Sequence, residues 1–138
     1  MSAIVGIGTD VVDVERIRRS FEEYGDRFAR RVFTEVERAY CDHFDETRHL
    51  HYAARFAAKE AFSKAIGTGM RDGMAFQQVG IRNEPSGQPV VVLSGLMLER
   101  HGALNIHVTL SHTATVAIAV VVIERNSSTH DTSSTSAS

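Results

Sequence analysis

The sequence predicts an α+β fold, a single compact domain with helices packed on an antiparallel sheet. Helical patterns crowd the first half of the chain, strand patterns crowd the second, and one strand leads. Segregation of this kind favours α+β over a doubly wound sheet, in which helices and strands alternate. At 138 residues the chain has single-domain size and can bury about 70% of its unfolded surface.

Ile4 to Val12 is rich in β-branched residues and reads as a buried strand. Asp13 offers an N-cap to a short helix with Val14, Ile17 and Phe21 on one face. A second helix follows Asp26, and Thr34-Glu35-Val36-Glu37 has the capping-box spacing that starts a third. His49 to Ile66 reads as a long helix stopped by Gly67. Phe76 to Asn83 and Val90 to Leu93 read as strands joined by the turn-forming run 84–89, and Leu96 to His101 as a short helix ending at Gly102. Ile106, Val108 and Leu110 alternate with polar residues at strand period. After a tight turn at Thr113-Ala114-Thr115, Val116 to Ile123 is expected as a fully buried strand. From Asn126 to Ser138, nine of thirteen residues are Ser or Thr. With so little apolar surface the segment cannot offset its ordering entropy, so a disordered tail at 126–138 is expected beyond a domain at 1–125.

Composition narrows the function classes. Fifteen basic and seventeen acidic residues give a net charge of −2, which does not point to nucleic acid. The lone Cys41 excludes an internal disulfide and a cysteine-built zinc site, and fits a reducing compartment. The N-terminus lacks a basic start and meets Asp10 too soon for a signal peptide. The longest apolar run, eight residues from Val116, is far short of a membrane span. A cytoplasmic protein is expected.

The chemistry concentrates on the long helix. Phe56, Glu60, Ser63 and Lys64 are spaced to share one stripe, while Ala54, Ala57, Ala58, Ala61 and Ala65 leave a narrow face for close packing. A carboxylate and an ammonium thus lie one turn apart, just before Gly67-Thr68-Gly69. Free backbone N–H groups in such a loop can cradle phosphate oxygens, although no P-loop pattern is present. As a plain helix-surface pair, Glu60 and Lys64 would contribute only about 0.3–0.5 kcal/mol. Gly6-Ile7-Gly8-Thr9-Asp10 lacks the third glycine of a dinucleotide fingerprint, since Val11 stands there. Its glycines either admit close packing or flank a functional acid. Asp10 lies among apolar residues and needs a partner or a metal.

His49 and His51 are two apart on a helix and cannot face one ligand together. His43, His101 and His130 read as solvated. His112 ends a strand at a tight turn, where a functional side chain and an ordinary polar strand end are both open readings. Six arginines between Arg16 and Arg31 face three acids, a local excess of +3. The patch is either a solvated face or a docking surface for an acidic protein.

Three stretches together resemble one family. Gly6 to Ile17 is similar to the opening strand and first helix of the holo-[acyl-carrier-protein] synthases. Phe56-Ala57-Ala58-Lys59-Glu60-Ala61-Phe62-Ser63-Lys64-Ala65 resembles their signature helix, and His107 to Thr113 their late strand ending in Ser-His or Thr-His. Order and spacing agree over about residues 4–125. The resemblance implies a 4′-phosphopantetheinyl transferase that moves phosphopantetheine from coenzyme A to a serine of apo-acyl carrier protein in fatty acid biosynthesis, releasing adenosine 3′,5′-bisphosphate. It implies Asp10 and Glu60 as magnesium ligands, Lys64 as a phosphate contact, and Asp10, Glu60 and Lys64 together as the catalytic set. Glu60, or a water held by a carboxylate such as Asp10, is the candidate base. Arg55, Gly67, Thr68, Gly69 and His112 fall in stretches that line the coenzyme A site, and Arg16, with Arg19, would dock the acidic carrier protein. A homotrimer with sites between subunits is the expected assembly. Phe56 stands where many members have tryptophan. The alternative is a non-catalytic coenzyme A or nucleotide-binding module, in which Asp10 and Glu60 would be structural charges.

Overall fold

The computed structural model describes residues 2–67 and 75–126. The order is β1 (Ser2–Asp13), α1 (Val14–Tyr24), α2 (Asp26–Val32), α3 (Glu35–Asp42), α4 (Arg48–Ile66), α5 (Ala75–Gln78), β2 (Val79–Asn83), β3 (Pro89–Leu93), α6 (Gly95–His101), β4 (Asn105–His112) and β5 (Val116–Asn126). β1, β5 and β4 form an antiparallel sheet in that order, and β2 pairs with β3 as a separate antiparallel hairpin. The α+β expectation holds. Thr68 and Gly69 lie outside the described residues, as do His130 and the rest of 127–138.

The layer contact that organises the molecule is α4 on β1. Strand period sends Gly6, Gly8, Asp10 and Val12 to the helix side of the sheet. A Cβ on Gly6 would stand 2.0 Å from the Ala65 carbonyl oxygen, and one on Gly8 the same distance from that of Ala61. Only glycine on the strand and alanine on the helix permit this approach, so the packing reading of the glycines is correct. Ala53, Ala54, Ala57, Ala58, Ala61, Ala117 and Ala119 are all buried in the resulting core. Gly67 ends α4 in the left-handed region at φ 83°, as a C-terminal glycine should.

Local signals place most of the other elements. Thr34 and Glu37 make the full capping box, the Thr34 side chain accepting from the Glu37 N–H and Glu37 from the Thr34 N–H. Asp13 is the N-cap of α1, but its side chain makes no capping bond. The Val14 N–H donates instead to the Thr115 carbonyl across the sheet end, at 2.9 Å.

Two expectations are corrected. Phe76 to Gln78 form the helical turn α5, and the strand begins only at Val79. The Lys59 ammonium gathers the carbonyls of Phe76 and Val79 at 2.7 and 2.8 Å, a tertiary demand that overrides the local β pattern. β5 is not buried on both faces. Ala117, Ala119, Val121 and Ile123 point into the core, while Ile118 is exposed on the other side. Ile4, Ile7 and Val11 of β1 share that outer exposure, so among the described residues no layer covers this apolar sheet face.

Candidate active site

Asp10 sits near the end of β1 on the helix side, two residues beyond Gly8, where the close approach to α4 ends. Its side chain is 16% exposed and meets the Lys64 ammonium at 3.0 Å. Lys64 also donates to the Thr9 carbonyl at 3.0 Å and is itself 55% exposed. Lys64 therefore bridges from helix to strand, and its ion pair is with Asp10 rather than the plain helix-surface pair with Glu60. Glu60 lies one turn earlier, half-buried. Burial raises its carboxyl pKa, the nearby Asp10 carboxylate adds to this, and Arg16 and Lys64 oppose it. The strand acid and the helix acid are thus within electrostatic reach of each other, and the half-exposed Lys64 ammonium is held on the strand acid.

Among the described residues no group of three His, Cys, Asp or Glu is placed to hold a metal. Two carboxylates suit magnesium, which typically takes one or two from protein and completes its shell with water and substrate phosphate. Two acids near enough for the Asp10 charge to act on Glu60 offer a cation a favourable position, so the residues fit such an ion. Ser63, expected on the same stripe, is instead buried and donates to the Glu60 carbonyl at 2.7 Å. It braces the helix rather than facing a ligand.

Arg16 belongs to this neighbourhood as well. Its guanidinium lies 5.3 Å from the centre of the Phe56 ring, and its charge acts on Glu60. The docking residue expected from sequence thus borders the carboxylates. Elsewhere in the patch, Arg18 pairs with Glu15 and Glu22, and Arg30 with Asp26. Among the described residues, Arg16, Arg19, Arg27 and Arg31 have no such carboxylate partner. Tyr24, Phe28, Val32 and Phe76 line a hollow of about 740 Å³ that Arg27, Arg30 and Arg31 rim.

Arg55 and His112 do not join the Asp10 cluster. Arg55 lies nine residues before Lys64 on α4, hence about 180° around the helix. It is buried, bonded to the Asn83 side chain and stacked over the Tyr40 ring at 4.3 Å. Its Nε has no hydrogen-bond partner among the described residues. With Tyr40, His51, Asn83, Gly87 and His112 it lines a second hollow, of about 220 Å³, between α3, α4, the β2–β3 hairpin and β4. His112 is exposed, with its ring 6.3 Å from that of His51. Burial, then Arg55 and His112, lower the His51 pKa. His49 instead packs on Phe21, so the two histidines do serve different places. His101 is half-buried at the edge of Phe62 rather than solvated.

The family model of the 4′-phosphopantetheinyl transferase superfamily matches residues 6–121. A holo-[acyl-carrier-protein] synthase of Sphingopyxis alaskensis is 45% identical over 128 residues, covering 88% of this chain and 96% of its own length. The chain belongs to the holo-[acyl-carrier-protein] synthase family. Its fold is that of the family's solved members. The Neisseria meningitidis synthase matches with a TM-score of 0.78 at 35% identity, covering 88% of this chain and 98% of its own. The Bacillus anthracis synthase, solved in complex with coenzyme A (3′,5′-ADP), matches at 0.75 and 35%, covering 89% and 98%.

One buried pair, joining α4 to α3, is not legible as a pair in the sequence. Lys59 and Glu37 are both wholly buried and meet at 2.8 Å. The signal was available, because Lys59 falls at helical spacing within the alanine and phenylalanine residues of the buried face and a buried ammonium requires a partner. Nothing local names Glu37 as that partner.

Proposed function

We propose that this protein transfers 4′-phosphopantetheine from coenzyme A to a serine of an apo-acyl carrier protein, with magnesium required and adenosine 3′,5′-bisphosphate released. The convergence of Asp10, Glu60 and Lys64 beside Arg16, within a chain of this family, is the observation that carries the reading. In the transfer, the serine oxygen bonds to the phosphorus that bears the pantetheine arm, and the bridging oxygen of the pyrophosphate leaves with the nucleotide. The serine proton passes to Glu60 or to a water held by Asp10. Lys64 neutralises phosphate oxygens, exchanging its present bond to Asp10 for the substrate. Asp10 and Glu60 would hold magnesium, which supplies charge to polarise the pyrophosphate and stabilise the leaving bisphosphate. Catalysis by this chain is then chiefly positioning and electrostatics.

Arg55 and His112 face away from Lys64 and still belong, on this reading, to coenzyme A binding, together with Gly67, Thr68 and Gly69. A homotrimer reconciles the two, with the Asp10 face of one subunit meeting the Arg55 hollow of the next. The apolar outer face of β1 and β5 supports such an assembly, since Ile4, Ile7, Val11 and Ile118 are exposed among the described residues. The basic α1–α2 surface, led by Arg16 and Arg19, takes the acidic carrier protein. We place the reaction in the cytoplasm, serving fatty acid biosynthesis. Among the described residues no helix is long and apolar enough to cross a membrane.

Mixing the protein with coenzyme A, magnesium and apo-acyl carrier protein, then weighing the carrier by mass spectrometry, tests the proposal. The expected result is a gain of one phosphopantetheinyl group, abolished by chelator and reduced about 10²-fold or more in rate by Asp10→Ala or Glu60→Ala. Coenzyme A binding without transfer to any carrier would instead indicate a non-catalytic binding module.

A further inference from the structure

Four residues form a continuous line of contacts from the core to Arg16, the first through a backbone carbonyl and the rest through side chains. Lys59, wholly buried against Glu37, donates to the Phe76 carbonyl at 2.7 Å. The Phe76 ring stacks on Phe56, with centres 5.6 Å apart and planes 17° from parallel. Phe56, only 7% exposed, carries the Arg16 guanidinium 5.3 Å from its centre. The next residue along, Gln77, pins the same turn by donating to the Phe33 carbonyl at 2.7 Å. The backbone of Phe76 is thus fixed from two sides, and its ring fixes Phe56. Phe56 in turn presents an aromatic face to an arginine with no carboxylate in ion-pair range among the described residues.

Such an arrangement has a physical consequence for binding. Ordering a long, rotamer-rich side chain opposes association, and a guanidinium held by an aromatic face is already partly ordered. The same face leaves the charge open to a partner, which a carboxylate neighbour would not.

We propose that Phe76, locked by Lys59, is a positioning residue that backs the Phe56 ring on which Arg16 is pre-ordered for the acidic carrier protein. This rests on the carrier-docking reading of Arg16 given above. Phe76 would touch neither coenzyme A nor the reacting atoms, so its contribution should appear in the KM for carrier and vanish once Arg16 is removed.

Steady-state kinetics on Phe76→Leu, Arg16→Ala and the double variant test this, with apo-acyl carrier protein and coenzyme A varied separately. Arg16→Ala should raise the carrier KM about tenfold, of the order seen for a charged docking contact. Phe76→Leu should raise it about two- to fivefold, the scale of a cation–π contact, with kcat and the coenzyme A KM within about twofold of wild type. In the double variant the Phe76 effect should disappear, because residues acting through one contact are not additive. Additive effects, or a Phe76→Leu variant with unchanged carrier KM, would overturn the inference and leave the docking role of Arg16 intact. An unchanged carrier KM in Arg16→Ala alone would remove the docking reading and the inference with it. Should Phe76→Leu fail to fold, Phe76→Met in the same cycle gives the same decision, since it too removes the ring that stacks on Phe56.

Discussion

Helix α4 carries two lysine–carboxylate pairs of identical chemistry and opposite character. Lys59 meets Glu37 with both side chains wholly buried. Lys64, five residues on and about 140° around the helix, meets Asp10 with 55% of the lysine and 16% of the aspartate exposed. The buried pair is closed. The three donors of its ammonium meet three oxygens, from Glu37, Phe76 and Val79, while the other Glu37 oxygen accepts from the Ile81 N–H at 2.7 Å. Burial lowers the Lys59 pKa and Glu37 opposes that fall. The exposed pair is open, with Glu60 alongside and solvent at hand. A closed pair fixes geometry, whereas an open one can trade its partner for a ligand.

The sharpest way to break this comparison is to make the same substitution in each lysine. Lys59→Met leaves Glu37 buried without a counter-charge and should cost about 3–5 kcal/mol of stability, read as a lowered midpoint in urea. Lys64→Met should cost about 0–1 kcal/mol, yet lower phosphopantetheine transfer about 10²-fold. Equal stabilities for the two variants would show that burial does not separate them.

A smaller effect tests the contact that brings the open pair together. Gly8→Ala would set a Cβ 2.0 Å from the Ala61 carbonyl oxygen and 2.7 Å from the Ala65 nitrogen, both backbone atoms. Either α4 or β1 must move, at a cost of about 1–3 kcal/mol, and Asp10 moves away from Glu60 and Lys64. We expect a Tm lower by several degrees, roughly 3–4 °C per kcal/mol for a domain of this size, and a lower transfer rate in the folded fraction. A normal rate with a lowered Tm would uncouple the strand–helix spacing from the chemistry.

The open region was the more legible of the two in sequence. Asp10, Glu60 and Lys64 stood out because their residue types contrast with apolar or small neighbours, and strand and helix periods fix which way they face. The closed region was half legible. Thr34 to Glu37 announced a capping box, and the box forms, but the same glutamate also serves Lys59 from another helix, and no local pattern encodes that. The helical turn at Phe76 was missed for the same reason, since its carbonyl is claimed from 17 residues away. The buried reading of β5 treated an apolar run as covered on both faces, whereas the described residues cover only one. Arg55 and Lys64 are nine residues apart on one helix, and helical geometry puts them on opposite sides of a single chain, which a linear reading of the sequence does not display.

Cys41 offers the finest test, because it reports on the closed region alone. It is wholly buried, and burial, aided by Glu37 and Asp42, pushes its pKa up to about 12. At pH 8 the thiolate that alkylating reagents require is therefore scarce in the native protein. Labelling must wait for local or global opening, so its rate measures the stability of the surrounding structure. Iodoacetamide should modify wild type slowly and Lys64→Met at nearly the same rate. Lys59→Met, which loosens the helices around Cys41, should be modified about 10²-fold faster or more, following its lost stability. Equal labelling of all three would mean that Cys41 is exposed by a motion in which neither pair takes part, and the distinction between closed and open pairs would lose its dynamic meaning.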